Sequence, residues 1–567
     1  MPARNAALPR PRATDQESDS TMTREANNLP DRFKLLREYN KEGPSLATRL
    51  RAEPGRFERF SRSVDGMVVD FSRTAVGADA FDALIGLAAD CGVEAERARL
   101  FAGAKLNFTE HRAVLHPLWR QRNFGDLLER AEADLLADAT QRMRVIAAAL
   151  HGGRLPGGSG APRIRHLVHI GIGGSLLGPR LLCAAFPPAG DCPEIHFLSS
   201  VDALDRERLL ARLDPRETAV ILVSKSFTTS EVLLHANRIR AWQLLDLDRA
   251  EADRRLFAVT AAAPRAEAFG VPADHVLQMG EWTGGRFSVW SPVGVTAAVT
   301  MGPDGFEAFL RGGAAMDAHF REAPLADNLP VILAMLSVWH RNVCGYPVHG
   351  LIPYDGRLAG LPAWLQQVEM ESNGKSVDLD GQPVALATSP VVMGDTGTDA
   401  QHALFQAFHQ GTGIVPLDFI GVVRPDHDDL EAQQMLLSHL LAQATALAVG
   451  RDREQAMALM ARQGVPEAER GALLPHRLFP GNRPSIVILL DRLDPESLGR
   501  LLAMYEHKVF VESVIWRINA FDQWGVELGK ILADAIQPAL ANDATALPPD
   551  IPGLDGLIAH IRKTLVL

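Results

Sequence analysis

Thr218-Ala-Val-Ile-Leu-Val-Ser-Lys-Ser-Phe-Thr-Thr229 decides the fold. Its first six residues are aliphatic or β-branched on both alternating sets, the pattern of a strand buried on both faces, as in a parallel sheet. Four hydroxyls and one ammonium then crowd into residues 224–229, and a helical pattern starts near Ser230. Strand, polar loop, helix is the βα unit of an α/β protein. Upstream, Ile164–Ile170 and Glu194–Ser200 read as further strands, and Leu256–Thr260 reads as a fourth. Downstream the alternation returns at Val348–Ile352, Ile414–Ile420 and Ser485–Leu490, with a long, interrupted helical pattern from Pro495 through Ile536. Two α/β sandwiches in tandem are therefore expected, over 131–310 and 311–530. Residues 29–130 are expected to be helical, with a capping box at Asn107-Phe-Thr-Glu110 and a helix that Pro117 ends or kinks. Residues 531–567 read as a helical tail, and 1–28, polar and without period, as a disordered one.

The chain of 567 residues is 47% hydrophobic and 22% charged, which places it among ordinary globular proteins with a sizeable core. Its 58 basic and 69 acidic residues leave a net charge of −11, which repels phosphate polymers and disfavours nucleic-acid and membrane partners. The four cysteines, Cys91, Cys183, Cys192 and Cys344, are too sparse for a disulfide framework and fit a reducing, cytoplasmic setting. No apolar run reaches the ~18 residues of a membrane span. Pro330–Trp339 is among the longest and reads as a buried helix.

Several stretches carry polar chemistry. Ser224-Lys-Ser-Phe-Thr-Thr229 stands where a helix dipole and free amides favour an anion, and its hydroxyls add neutral donors: a cradle for a phosphate monoester, or ordinary capping. Gly171-Ile-Gly-Gly-Ser175 follows a strand but is neither a dinucleotide fingerprint nor a Walker loop; it serves a polar ligand or only a tight turn. In Gly284-Gly-Arg-Phe-Ser-Val-Trp-Ser291, Arg286 can stabilise a developing oxyanion or stack on a tryptophan. In Gln366-Gln-Val-Glu-Met-Glu-Ser-Asn-Gly-Lys375, Glu371 is a candidate base, with Gln367 four residues earlier on the same face if the segment is helical. His402 and His409 lie two helical turns apart, about 10 Å, too far to share one ion, so His402 reads as a lone acid/base or a core histidine. Gln523 and Lys530 show the same spacing. No metal-ligand spacing is present, and no metal is expected.

Taken with Asn107–His116, Gly481-Asn-Arg-Pro-Ser485 and Tyr505–Lys530, these stretches closely resemble the glucose-6-phosphate isomerase (phosphoglucose isomerase) family, in the family's order and from about residue 100 to 530. The resemblance implies two tandem SIS-type αβα sandwich domains with parallel sheets and helical extensions. It also implies a homodimer that shares its active sites, and reversible interconversion of glucose 6-phosphate and fructose 6-phosphate in glycolysis and gluconeogenesis. By the same match Gly174, Ser175, Gln367 and Gln523 line the sugar, while Ser224, Lys225, Ser226, Thr228 and Thr229 hold the phosphate. Arg286 faces an enediolate, and Glu371 transfers the proton. His402, donated across the dimer, and Lys530 assist ring opening. No cofactor is implied, because the electrons stay within the substrate. One departure is Ala400, where the family usually has glycine.

Overall fold

The computed structural model describes residues 29–157, 162–541 and 551–565; the expected tail at 1–28 lies outside them. In chain order the strands are β1 Ser61–Val64, β2 Met67–Asp70, β3 His166–Ile170, β4 Glu194–Leu198, β5 Thr218–Val223, β6 Leu256–Thr260, β7 Val276–Gln278, β8 Val348–Tyr354, β9 Val391–Gly394, β10 Leu417–Arg424 and β11 Ser485–Arg492. All seven expected strands are present. Every residue of β5 is buried, as its unbroken apolar run requires.

The first sheet has the order β4-β3-β5-β6-β7, every pairing parallel. The chain leaves β3 for β4 on one side and returns to β5 on the other. The switch point thus falls between the carboxyl ends of β3 and β5, where ligands of such sheets bind. The second sheet has the order β1-β2-β11-β10-β8-β9. Its β8 to β11 pair in parallel, and the hairpin β1–β2 joins β11 antiparallel.

The two sheets are the two expected α/β sandwiches in tandem, and they lie within one continuous packed unit that ends at Ala520. The boundary expected at 310 falls inside the helix Val295–Glu322, which kinks at Gly302-Pro303. This helix lies against Pro495–Trp516 at backbone contact. A Cβ on Gly312 would stand 1.8 Å from the Glu496 carbonyl oxygen, and one on Gly499 2.1 Å from that of Phe309. Glycines at both crossings let the two helices approach at backbone distance.

Region 29–130 is not all helix, because the hairpin β1–β2 serves the second sheet from there. Pro117 begins a helix, His116–Gln121, rather than ending one; at the first turn its missing N–H leaves nothing unsatisfied. The Asn107–Glu110 capping box does not form. Asn107 Nδ2 donates to Glu110 Oε2 at 2.6 Å, side chain to side chain, across a single 3₁₀ turn. Leu329–Val338 is the expected buried helix. The long C-terminal helix stops at Trp516, where Arg517 takes φ 53°. The second unit starts at Phe521, so the boundary expected at 530 falls inside its helix Glu527–Ala541. Arg562, on the helix Asp555–Leu565, donates to the Ala539 carbonyl at 2.6 Å. No helix among the described residues is long and apolar enough to cross a membrane.

Candidate active site

The loop 224–229 leaves the end of β5 and enters the helix Ser230–Gln243. Thr229 is the helix N-cap residue, yet its hydroxyl does not cap; it pairs with Ser224 Oγ at 2.9 Å. Ser226 Oγ and Thr228 Oγ1 pair at 2.6 Å and are exposed. Between them Phe227 holds φ 51°, a left-handed conformation that disfavours a bulky side chain. Its ring is 4% exposed in the apolar core of the first sheet, and that burial anchors the turn with the hydroxyls outward. The Lys225 ammonium turns away from them, donating to the carbonyls of Glu281 and Thr283 at 2.5 and 3.2 Å. Burial, and then the nearby Arg112, lower its pKa. Lys225 therefore ties the hydroxyl loop to the segment that leads into Arg286.

The glycine loop after β3 is built against the same segment. A Cβ at Gly174 would fall 2.0 Å from the Gly285 carbonyl oxygen and 2.6 Å from the Arg286 amide nitrogen. Both neighbours are backbone, so only glycine fits. Gly173 takes φ +58° with the Gln367 amide 3.1 Å from its would-be Cβ, which places Gln367 at the mouth of the loop. His169, invisible to sequence reasoning, fixes the loop from below. Its Nε2 lies 2.7 Å from the Ser175 carbonyl and its Nδ1 2.8 Å from Thr296 Oγ1. Burial lowers its pKa to about 4, so a neutral ring donates from Nε2. We expect Gly174→Ala to displace the Arg286 turn and lower kcat by about 10- to 100-fold, since an ångström of misplacement is enough for that. Steady-state kinetics with circular dichroism as the folding check measures it.

Arg286 sits on a 3₁₀ turn, Gly285–Phe287, and is 3% exposed. Its Nε donates to Ser372 Oγ at 2.6 Å and its Nη2 to the Ala520 carbonyl, while Nη1 stands 3.5 Å from Glu371 Oε1. The guanidinium is thus held on one edge and turned to the carboxylate on another. Glu371 comes from the second sheet's side. After β8 and the helix Leu361–Gln366, a π-helical turn spans Gln367–Glu371. Such turns cluster at functional sites because the extra residue re-aims side chains. Here it sends Glu369 inward, fully buried, and leaves the Glu371 side chain 21% exposed.

Beneath the turn, Lys508 Nζ lies 2.7 Å from Glu369 Oε2 and 2.7 Å from Glu512 Oε1. Asn373 donates to Glu512 Oε2 at 3.1 Å. Burial opposes the Lys508 charge, but the two carboxyls outweigh it and raise its pKa. Burial and then Glu369 raise the Glu512 pKa. This network, Ser372 and Phe227 escaped sequence reasoning; the only hint was the density of polar residues in 366–375 and 505–512.

His402 is exposed on the helix Gly397–Ala403. That helix breaks at Leu404 before Phe405–Gln410 begins, so His402 and His409 do not share one continuous helical face. Ala400 is helical and fully buried, so the exchange from glycine loses no special conformation. Gln523 and Lys530 belong to the separate C-terminal unit, Gln523 ahead of the turn Trp524–Val526 and Lys530 on the helix Glu527–Ala541, both exposed.

The structure thus brings Gly174, Ser175, Gln367, Arg286, Glu371 and the 224–229 loop together around one switch point. The phosphoglucose isomerase family model matches residues 70–551. The glucose-6-phosphate isomerase of Cereibacter sphaeroides is 47% identical over 498 residues, covering 87% of this chain and 92% of that protein. That of Xanthobacter autotrophicus is 45% identical over 517 residues, covering 90% and 94%. The crystal structure of a glucose-6-phosphate isomerase from Chlamydia trachomatis superposes with a TM-score of 0.80 at 32% identity, over 94% of this chain and 99% of that one. On this match of sequence and fold, the chain belongs to the phosphoglucose isomerase family.

Proposed function

We propose that the chain reversibly interconverts glucose 6-phosphate and fructose 6-phosphate, as a glycolytic and gluconeogenic enzyme of the cytoplasm. The observation that carries this reading is the 3.5 Å approach of Arg286 to Glu371, with the hydroxyl-lined loop tied through Lys225 to the segment that leads into Arg286. Ser224, Ser226, Thr228 and Thr229 hold the phosphate, with Lys225 fixing their loop. Gly174, Ser175, Gln367 and Gln523 line the sugar. Lys530 and His402 move the proton that opens the ring, His402 being donated to the partner subunit of a homodimer, in keeping with its exposure in the single chain. Glu371 then takes the proton from C2 and returns it to C1, while the aldehyde oxygen gains a proton and the C2 hydroxyl loses one. Between these steps the negative enediolate lies against the Arg286 guanidinium, whose charge is permanent. Phosphate binding far from the reacting carbons supplies the orientation.

Turnover of glucose 6-phosphate in deuterium oxide, followed by NMR, tests the reading. Deuterium is expected at C2 of recovered substrate and at C1 of product, because a proton held by a carboxyl exchanges with solvent. Isomerisation with no exchange under any condition would replace the enediol path by direct hydride transfer. Because Arg286 supplies the cation at the enediolate, EDTA is expected to leave turnover unchanged; a reversible loss on chelation, restored by a divalent ion, overturns that assignment.

A further inference from the structure

At the opposite end of the first sheet a second polar cluster stands apart from the site just described. β3 begins at His166 and the glycine loop follows its other end, about 13 Å away at ~3.3 Å per residue. The parallel register pairs His166 with Glu194 and Val168 with His196. Partners across a register and residues two apart share a face, so His166, Glu194 and His196 project together. Farther along that face Val168, Ile170 and Leu198 lie in the apolar core, and the three polar side chains take over at the rim. His166 Nδ1 is 3.2 Å from His196 Nε2, and Glu194 Oε2 is 3.7 and 3.9 Å from those two nitrogens.

We propose that His166 Nδ1, His196 Nε2 and Glu194 Oε2 form a three-ligand site for a divalent transition-metal ion of the zinc class, with water in the fourth position. A tetrahedral ion with bonds of ~2.0–2.2 Å sets its ligand atoms about 3.3–3.6 Å apart. The three observed separations bracket that range, so binding needs movements of only a few tenths of an ångström. A hydrogen bond between the imidazoles accounts for the 3.2 Å contact alone. It does not account for a carboxylate oxygen nearly equidistant from both nitrogens and beyond hydrogen-bond reach of either. Two imidazoles and one carboxylate suit zinc-like ions over magnesium or calcium, which take oxygen ligands. β4 is an edge strand and the Glu194 side chain is 66% exposed, so the ion has an entry path. Bound there it clips the edge strand to β3, away from Glu371.

The site crosses two strands and joins residues 28 positions apart, which is why no ligand spacing shows in the sequence. Titration of the metal-stripped full chain with Zn²⁺ by calorimetry, and with Co²⁺ by absorption, tests it. One site with a dissociation constant of about 10 µM or tighter is expected, with the intense visible bands of four-coordinate Co²⁺. His196→Ala and Glu194→Gln should weaken it at least ~10-fold while leaving kcat unchanged. Because Glu194 is largely exposed, Glu194→Gln keeps the test alive if His196→Ala misfolds. Equal affinity and stoichiometry in Glu194→Gln, or no binding to the wild-type chain below ~1 mM Zn²⁺, overturns the proposal.

Discussion

Glu371→Gln is expected to lower kcat by at least ~10²–10⁴-fold, the range for loss of a general acid–base residue, with KM changed only severalfold. The substitution is isosteric and keeps an oxygen toward Arg286, which stands 3.5 Å away. The surrounding geometry should therefore survive. What disappears is the site that accepts a proton from carbon. The buried Glu369–Lys508–Glu512 set that shapes the turn is untouched, since none of its members bonds to the Glu371 carboxylate. Two NMR readouts separate this loss from general damage. Deuterium exchange at C2 should vanish with turnover, because both pass through the same proton transfer. Catalysed interconversion of the sugar's anomers should persist, because ring opening is assigned to His402 and Lys530. A variant that keeps C2 exchange at the wild-type rate would remove Glu371 from the mechanism.

How far the sequence announced this arrangement depends on the range of the interactions. β5 and its hydroxyl loop were readable because burial on both faces writes an unbroken apolar run and the loop follows within the same segment. β1 was not readable. Ser61-Arg-Ser-Val64 is a half-exposed edge strand whose polar composition carries no strand signal, and its hairpin gains order only by adding to β11. The strands β7 and β9, three and four residues long, are too short to show a period. Pro117 illustrates an ambiguity of one residue type, since the same ring stops a helix or starts one according to position. In the site, Arg286 and Glu371 could be picked by chemistry, but not the reason they meet. Gly174 against Gly285 and Lys225 against Glu281 and Thr283 are contacts across 56 to 111 positions. Likewise the left-handed turn at Phe227 has no local signature, because a core ring stabilises it rather than a glycine.

Arg286→Ala should lower kcat by about 10²–10³-fold, the effect of removing one oxyanion donor, and should do so through the barrier rather than through substrate affinity. The guanidinium is nearly solvent-free and bonded to Ser372 and the Ala520 carbonyl, so little reorganisation is required when charge develops on the substrate. Truncation also leaves the Ser372 hydroxyl and that carbonyl without this donor, so part of the measured loss will be structural. Arg286→Lys distinguishes the two contributions. It restores a positive charge but not the fork that reaches Ser372, Ala520 and Glu371 at once. If charge alone mattered, the lysine variant would recover most of the rate. If placement by the fork matters, as the three contacts imply, it should remain within about tenfold of the alanine variant while folding equally well by circular dichroism. A fully active Arg286→Ala variant would contradict both forms of the assignment and leave the enediolate without its cation.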